Sequence, residues 1–256
     1  VIDITKPKIF IAENVKGLVN MGQVKDIIQA DFSQADGNGY IVLSPQVLHA
    51  GNYGVPESRE RVIFIGIRKD ALKEEIAQIL KNDLIPNHLN PYPQPTHNCT
   101  LNDETLATPV VLCDVLKQLK EPKESFDPSQ RFYSKAKYMG AHCQGQKEIT
   151  MNSIGPTIRS EHHGNIEYRR LSLEHGGTNK NELEKGLAER RLTPRECALI
   201  QTFPPDFQFV IPKDYDWKRF IVSASGAYKV IGNAVPPILA YHIAMRIQNL
   251  WSTYFK

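Results

Sequence analysis

The sequence predicts an α/β protein with a second, loop-rich part. Three observations carry this reading. An apolar run at residues 8–12 is followed by helical periodicity and two more strand patterns. After residue 71 the chain turns rich in Pro, Asn and Thr, and two clearly signalled helices close it.

The totals permit this and exclude other classes. At 256 residues with 41% apolar content, the chain can bury a core. No uninterrupted apolar stretch approaches the roughly 20 residues that a membrane helix needs. No basic segment followed by an apolar one opens the chain, so the expectation is a cytoplasmic protein with no membrane partner. Cys99, Cys113, Cys143 and Cys197 lack the close pairing of a zinc site or a small disulfide framework and read as reduced thiols, with no metal. A net charge of +3 is compatible with a nucleic-acid partner without arguing for one.

Taken in order, residues 8–12 read as a short buried strand ending at Glu13-Asn14-Val15. Val24, Ile27, Ile28 and Phe32 stand at helical spacing before the Gly37-Asn38-Gly39 turn. Tyr40 to Leu43, leading towards Val47-Leu48, and Arg61 to Ile67 are strand patterns separated by Gly51-Asn52-Tyr53-Gly54-Val55-Pro56. A charged helix over Ala71 to Leu84 precedes the loop-rich stretch from Pro86 to Thr108, and mixed segments run to about residue 190. Thr193-Pro194-Arg195-Glu196 has the form of a capping box with Pro at the first helical position, opening a helix through Ile200. Pro236-Pro237 opens a last helix with Leu239, Ile243, Ile247 and Leu250 on one face.

Singly, the polar features have ordinary readings. An acid after a strand, such as Glu13, is usually a solvated turn residue or a helix cap. Arg59 and Arg61 stand two apart and so are expected on one strand face, meeting solvent or clamping a phosphate or base edge. His162-His163 lack further ligands at metal-site spacing and read as structural. Gly232 to Pro237 would be a loop with a helix start.

In combination and order these stretches resemble the C-terminal half of the DNA (cytosine-5) methyltransferases. "ENV" at Glu13 to Val15 is similar to that family's glutamate motif, and "LHAGNYGVPESRERVIFIG", Leu48 to Gly66, to its paired-arginine loop and strand. "RRLTPRECALIQTFPPDF", Arg190 to Phe207, and "AYKVIGNAVPP", Ala227 to Pro237, resemble the two closing motifs. The resemblance implies the C-terminal part of an S-adenosylmethionine-dependent mixed α/β sheet plus a smaller, loop-rich target-recognition domain. It divides the chain into the end of the catalytic domain at 1–71, target recognition at 72–190, and closing helices at 191–256.

The family's chemistry assigns roles by resemblance. Cytosine is unreactive at carbon 5, so these enzymes flip the base out of double-stranded DNA and add a cysteine thiolate at carbon 6 before methylation. Glu13 would hold nitrogen 3 and the exocyclic amine, and burial against the base would help it by raising its pKa. Arg59 and Arg61 would hold the base carbonyl, the adjacent phosphate and the acid. Asn233, Ala234 and Val235 would line the S-adenosylmethionine side. In "GPTIRSEHHGNIEYRRLS", Gly155 to Ser172, Thr157-Ile158 resembles a Thr-plus-aliphatic pair near the flipped base. Arg159, Arg169 and Arg170 are the candidates for guanine or phosphate contacts. The stretch also resembles members acting on GGCC-like sites.

Two departures matter. The family usually has Gln where this chain has Glu57, an acid expected to repel DNA phosphate unless Arg59 or Arg61 neutralises it. The Gly-rich cofactor turn and the Pro-Cys-Gln nucleophile loop are missing: the one Cys-Gln pair, Cys143-Gln144, follows His142 and lies after the arginine motif, and Cys197 reads as a helix core residue. The chain is therefore expected to be inactive alone, to expose an apolar sheet edge and helix face, and to need an N-terminal half or partner subunit. A split enzyme and a shortened single-chain enzyme both fit, and Val1 in place of Met leans towards the second. A non-catalytic DNA-binding or regulatory subunit is the alternative, but Glu13 and Asn233 would have no use there.

Overall fold

A computed structural model describes residues 1–256 apart from 21–22, 36, 38, 83, 161–164 and 216, and gives only the backbone of 19, 20 and 25. His162-His163, and Asn38 of the expected turn, lie outside the described residues.

A short helix α1 (Ile2–Thr5) leads into strand β1 (Ile9–Val15), helix α2 (Val24–Gln34), strands β2 (Tyr40–Val42), β3 (Gln46–His49) and β4 (Glu60–Arg68), and helix α3 (Glu74–Leu80). The predicted helix from Ala71 to Leu84 is shorter than expected. A 3-10 turn takes Lys69–Ala71, and the chain leaves the helix after Leu80, ahead of Pro86. Short helices α4 (Leu112–Leu116), α5 (Pro128–Arg131) and α6 (Lys180–Glu184) and the strand pair β5 (Tyr168–Arg170) and β6 (Arg190–Arg191) punctuate the middle. Helix α7 (Pro194–Ile200), the ribbon β7 (Ile211–Pro212) with β8 (Phe220–Val222), helix α8 (Ala224–Asn233) and helix α9 (Pro237–Tyr254) complete the chain. Thr193 and Glu196 close the expected capping box reciprocally, with Pro194 as the first helical residue.

Strand β4 organises the first sheet. β1 pairs antiparallel along one edge of it, Glu13 opposite Ile63 and Val15 opposite Arg61. β2 and β3 share its other edge, Tyr40 opposite Arg68 and Leu48 opposite Arg61. Central position explains its composition: Val62, Ile63, Phe64, Ile65 and Ile67 are all buried, and Gly66 gives way to the Phe10 ring, which a Cβ there would strike at 2.0 Å. Among the described residues, no strand pairs with the outer edge of β1.

Two apolar cores result. The first joins this sheet to α3, Tyr92 and one face of α9 through Leu239, Ile243, Leu250 and Tyr254. The second gathers Leu112, Leu116, Ile149, Ile158 and Ile166 against Cys197, Ala198 and Ile200 of α7 and Ala227, Tyr228 and Ile231 of α8. Helices α7 and α8 thus pack with the middle of the chain, and the chain rejoins the first core at Val235. No helix among the described residues is long and apolar enough to cross a membrane.

Candidate functional site

Where the two cores meet, a cavity of about 400 Å³ is walled by Glu13, Asn14, Val15, Arg61, Thr157, Ile158, Arg159, Ser160, Gly232 and Asn233. Four chain segments far apart in sequence converge here. A second cavity of about 490 Å³, between β2 and residues 80–92, contains none of the motif residues.

The acid comes from β1 and its partner from β4. Glu13 and Arg61 lie on one face of the antiparallel ladder, and Arg61 Nε meets Glu13 Oε1 at 2.6 Å. Arg61 Nη1 also donates to the Glu60 carbonyl at 2.8 Å, which fixes the guanidinium plane. Burial and the neighbouring Arg59 lower the Arg61 pKa from its ordinary value, while Glu13 and Glu57 pull it the other way.

The second wall is zipped to the arginine loop. The Gly155 amide donates to the Pro56 carbonyl and the Ser58 amide to the Gly155 carbonyl, both at 2.8 Å. The Thr157 hydroxyl donates to the Ser58 carbonyl, and the Ile158 amide to Glu57 Oε1 at 2.6 Å. Arg59 lies beneath this zipper with no exposed surface. Its Nη1 donates to the Ile158 carbonyl at 2.9 Å, and its Nη2 to the carbonyls of Gly232 and Ala234 at 2.8 Å each. The end of α8 then presses on the continuation of this segment. A Cβ at Gly232 would stand 2.3 Å from the Arg159 and Ser160 backbone, so only glycine permits that approach.

A model of the C-5 cytosine-specific DNA methylase family matches residues 1–249. The chain belongs to that family. It is 30% identical over 268 residues to the Type II methyltransferase M.FnuDI of Fusobacterium nucleatum, a match spanning 95% of this chain and 65% of that protein. It is 34% identical over 259 residues to M.BspRI of Lysinibacillus sphaericus, with 98% and 53% covered. The chain thus spans between about half and two thirds of the length of these relatives. The fold is similar to that of the S. pombe Dnmt2 methyltransferase (TM-score 0.50, 14% identity, 95% of this chain and 67% of that one). It is also similar to a Spodoptera frugiperda DNMT2 mutant (TM-score 0.51, 18% identity, 94% and 66%). S-adenosylmethionine is the family's methyl donor.

Within this methylase chain, the structure separates the expected site residues. Glu13, Arg61, Thr157, Ile158, Arg159 and Asn233 share the cavity. Arg59 does not share a strand face with Arg61: β4 begins at Glu60, so Arg59 precedes it and turns inward to three carbonyls rather than to base or phosphate. Glu57 does not reach the DNA side either, being completely buried. Arg169 and Arg170 lie outside the cavity lining and are engaged by carboxylates. Arg169 pairs with Glu182 at 2.7 Å, and Arg170 with Glu121 and Glu182 at 2.5 Å each, in a low-exposure cluster that also takes in Arg190 and Glu196.

Asn233 is exposed in the cavity wall and offers both a donor and an acceptor, which suits the polar end of the methyl donor. Ala234 and Val235 serve it from behind, Ala234 through its carbonyl bond to Arg59 and Val235 by packing on the first core. Cys197 is buried on α7, and burial pushes its thiol well above the ordinary range, which leaves it no role as a nucleophile. Sequence reasoning missed the walls formed by Asn14, Ser160 and Gly232, and missed Glu167, whose Oε1 stands 3.6 Å from Arg159 Nη1 and steadies that side chain. The glycine in Gly232-Asn233 was the one available signal.

Proposed function

We propose that this chain forms the base-holding and target-reading part of a DNA (cytosine-5) methyltransferase of a restriction-modification system, working in the cytoplasm. It acts on a cytosine flipped from a specific short site in double-stranded DNA. The observation that carries the reading is the convergence of the Glu13–Arg61 pair, the Thr157–Ser160 segment and Asn233 on one open cavity. Glu13 grips nitrogen 3 and the exocyclic amine of the base, balancing the charge that nucleophilic addition loads onto the ring. Arg61 holds Glu13 in place. Thr157 and Ile158 form the wall against the base, and Arg159 reaches towards DNA from the same segment as the reader of residues 72–190, for which a GGCC-like site is proposed.

S-adenosylmethionine, held in part by Asn233, supplies the methyl group. The thiolate nucleophile and the Gly-rich cofactor turn come from a separate N-terminal half or partner subunit, which the unpaired outer edge of β1 is suited to receive. Of residues 191–256, α9 then closes the catalytic domain, while α7 and α8 hold the middle of the chain against it.

The experiment is methyl transfer from labelled S-adenosylmethionine to unmethylated duplexes with and without GGCC, comparing this chain alone with the chain plus a fragment carrying the Gly-rich and Pro-Cys-Gln segments. Incorporation in the mixture alone, confined to GGCC duplexes and lost with Glu13→Ala, is the expected result. A stable mixture that binds DNA without transferring methyl would instead establish a non-catalytic DNA-binding subunit.

A further inference from the structure

The zipper beneath the cavity contains a fully buried acid with one oxygen bonded and the other bare among the described residues. Glu57 has no exposed surface. Its Oε1 accepts from the Ile158 amide at 2.6 Å and from Arg59 Nη1 at 3.4 Å, while Oε2 has no hydrogen-bond partner among the described residues. A buried carboxylate carries charge on both oxygens, and leaving one bare is costly. An oxygen left without a partner costs less on a neutral acid than on a carboxylate, so burial with one bare oxygen favours the protonated form.

The groups facing Glu57 do not restore a full counter-charge. Arg59 in its own loop and Arg61 on β4 are the cations, but Arg59 directs its shorter bonds, 2.8 to 2.9 Å, at the carbonyls of Ile158, Gly232 and Ala234. Arg61 is engaged with Glu13. From α7 the facing group is the buried thiol of Cys197, with Glu196 beside it. The segment through Gly155 and Ile158 presents backbone. Burial pushes the Glu57 pKa up to about 7 against the opposing pull of Arg59, the Ile158 amide and Arg61.

We propose that Glu57 is a positioning residue that acts as a neutral acid. Protonated, it holds the Thr157–Ile158 segment on the arginine loop. Ionisation strengthens its two accepted bonds but places a charge where no water reaches its second oxygen, and the drive to solvate that charge opens the contact and weakens engagement of DNA. The consequence for DNA rests on the function proposed above, whereas the protonation does not. A Gln at this place would give the same hold without its pH dependence.

Linkage sets the sign. The carboxyl keeps its proton in the fold after the unfolded chain has lost it, so stability falls as pH rises from 4.5 towards 7 and levels beyond.

The test uses the full chain and its Glu57→Gln variant. The wild type is expected to show the carbonyl stretch of a buried carboxylic acid in infrared spectra at about pH 5.5, lost at about pH 8.5 and absent from the variant. The melting temperature of Glu57→Gln should gain on the wild type by about 5 °C or more over the same range. No acid band together with parallel melting curves would overturn the proposal, and the band alone decides the protonation should the variant fail to fold. In the completed enzyme, affinity for a specific duplex should fall with rising pH for wild type relative to Glu57→Gln. Parallel affinities alongside a clear acid band would overturn the positioning role. Loss of all DNA binding in both proteins, with the band intact, would overturn the base-pocket reading instead.

Discussion

Arg61 Nε lies 2.6 Å from Glu13 Oε1 as a diagonal contact across two paired strands, since Arg61 stands opposite Val15 and Glu13 opposite Ile63. Diagonal neighbours on one sheet face are within reach of long side chains. The sheet register therefore fixes the Glu13 carboxylate against the Arg61 guanidinium.

Replacing Glu13 by Gln in the completed enzyme keeps the shape and removes the acid. Single-turnover methyl transfer should drop by about 10² to 10⁴-fold with the melting temperature changed by no more than about 2 °C. Arg61→Lys should lose less, because a point charge still attracts Glu13 but cannot hold its plane. An undiminished rate in Glu13→Gln would remove Glu13 from the chemistry.

Arg59→Met should behave as a core lesion. It strands the carbonyls of Ile158, Gly232 and Ala234 beside buried Glu57, at a cost of about 3 kcal/mol or more and a melting temperature lower by roughly 6 °C or more. Because the Arg59 guanidinium is turned to carbonyls and away from the DNA side, the salt dependence of DNA binding should keep its slope. A shallower slope would return Arg59 to the DNA-facing residues.

Arg159 and Arg170 should part company. Arg159→Ala, at a partly exposed side chain, should relax site choice by about 1 to 3 kcal/mol at nearly constant stability. Arg170→Ala takes one of two guanidinium partners from each of Glu121 and Glu182, and should lower the melting temperature while leaving site choice intact. Comparison of methylation rates on matched and mismatched duplexes at high salt, beside thermal melts, separates the two.

Acid should attack the middle of the chain through Glu121. Burial raises its pKa, but hydrogen bonds and charge from Arg170 and Arg190 outweigh that and hold it down at about 2. A depressed carboxyl contributes stability above its unfolded value, lost as pH falls from about 4.5 towards 2. Melts of wild type and Glu121→Gln over this range should converge as pH falls. Curves that keep a constant gap would show that Glu121 titrates alike in both states.

The outer edge of β1, with Ile11 and Val15 exposed along it, should drive self-association of the chain alone and be quenched by the complementary fragment. Sedimentation velocity reads this directly. A monodisperse monomer at tens of micromolar would show that the edge is protected.

Much of the outline is legible because local rules decide it. The Thr193–Glu196 capping box and the apolar face of α9 each depend on neighbours close in sequence and stand where expected. The run before Glu13 does form a strand, but at the sheet edge with only Phe10 buried, not the buried strand its composition suggests, because burial depends on which strands lie alongside. The helix after Ala71 is shorter than its composition suggests, because composition alone does not reveal where the chain must turn back to the first core. The arginines are the hardest to read. Arg59, Arg61, Arg159, Arg169 and Arg170 are the same residue type, yet two of them line the cavity and three are buried among carbonyls or carboxylates.

The order of the motifs was enough to indicate the family, because a strand-borne Glu, a loop and strand with two arginines and a Gly-Asn turn rarely occur together in that sequence, and the family model matches residues 1–249. Only the tertiary structure decided which arginine serves which purpose. A guanidinium's role follows from the acceptors within its reach, and those acceptors, Glu13 for Arg61 and the carbonyls of Ile158, Gly232 and Ala234 for Arg59, arrive from segments that meet only after the chain has folded.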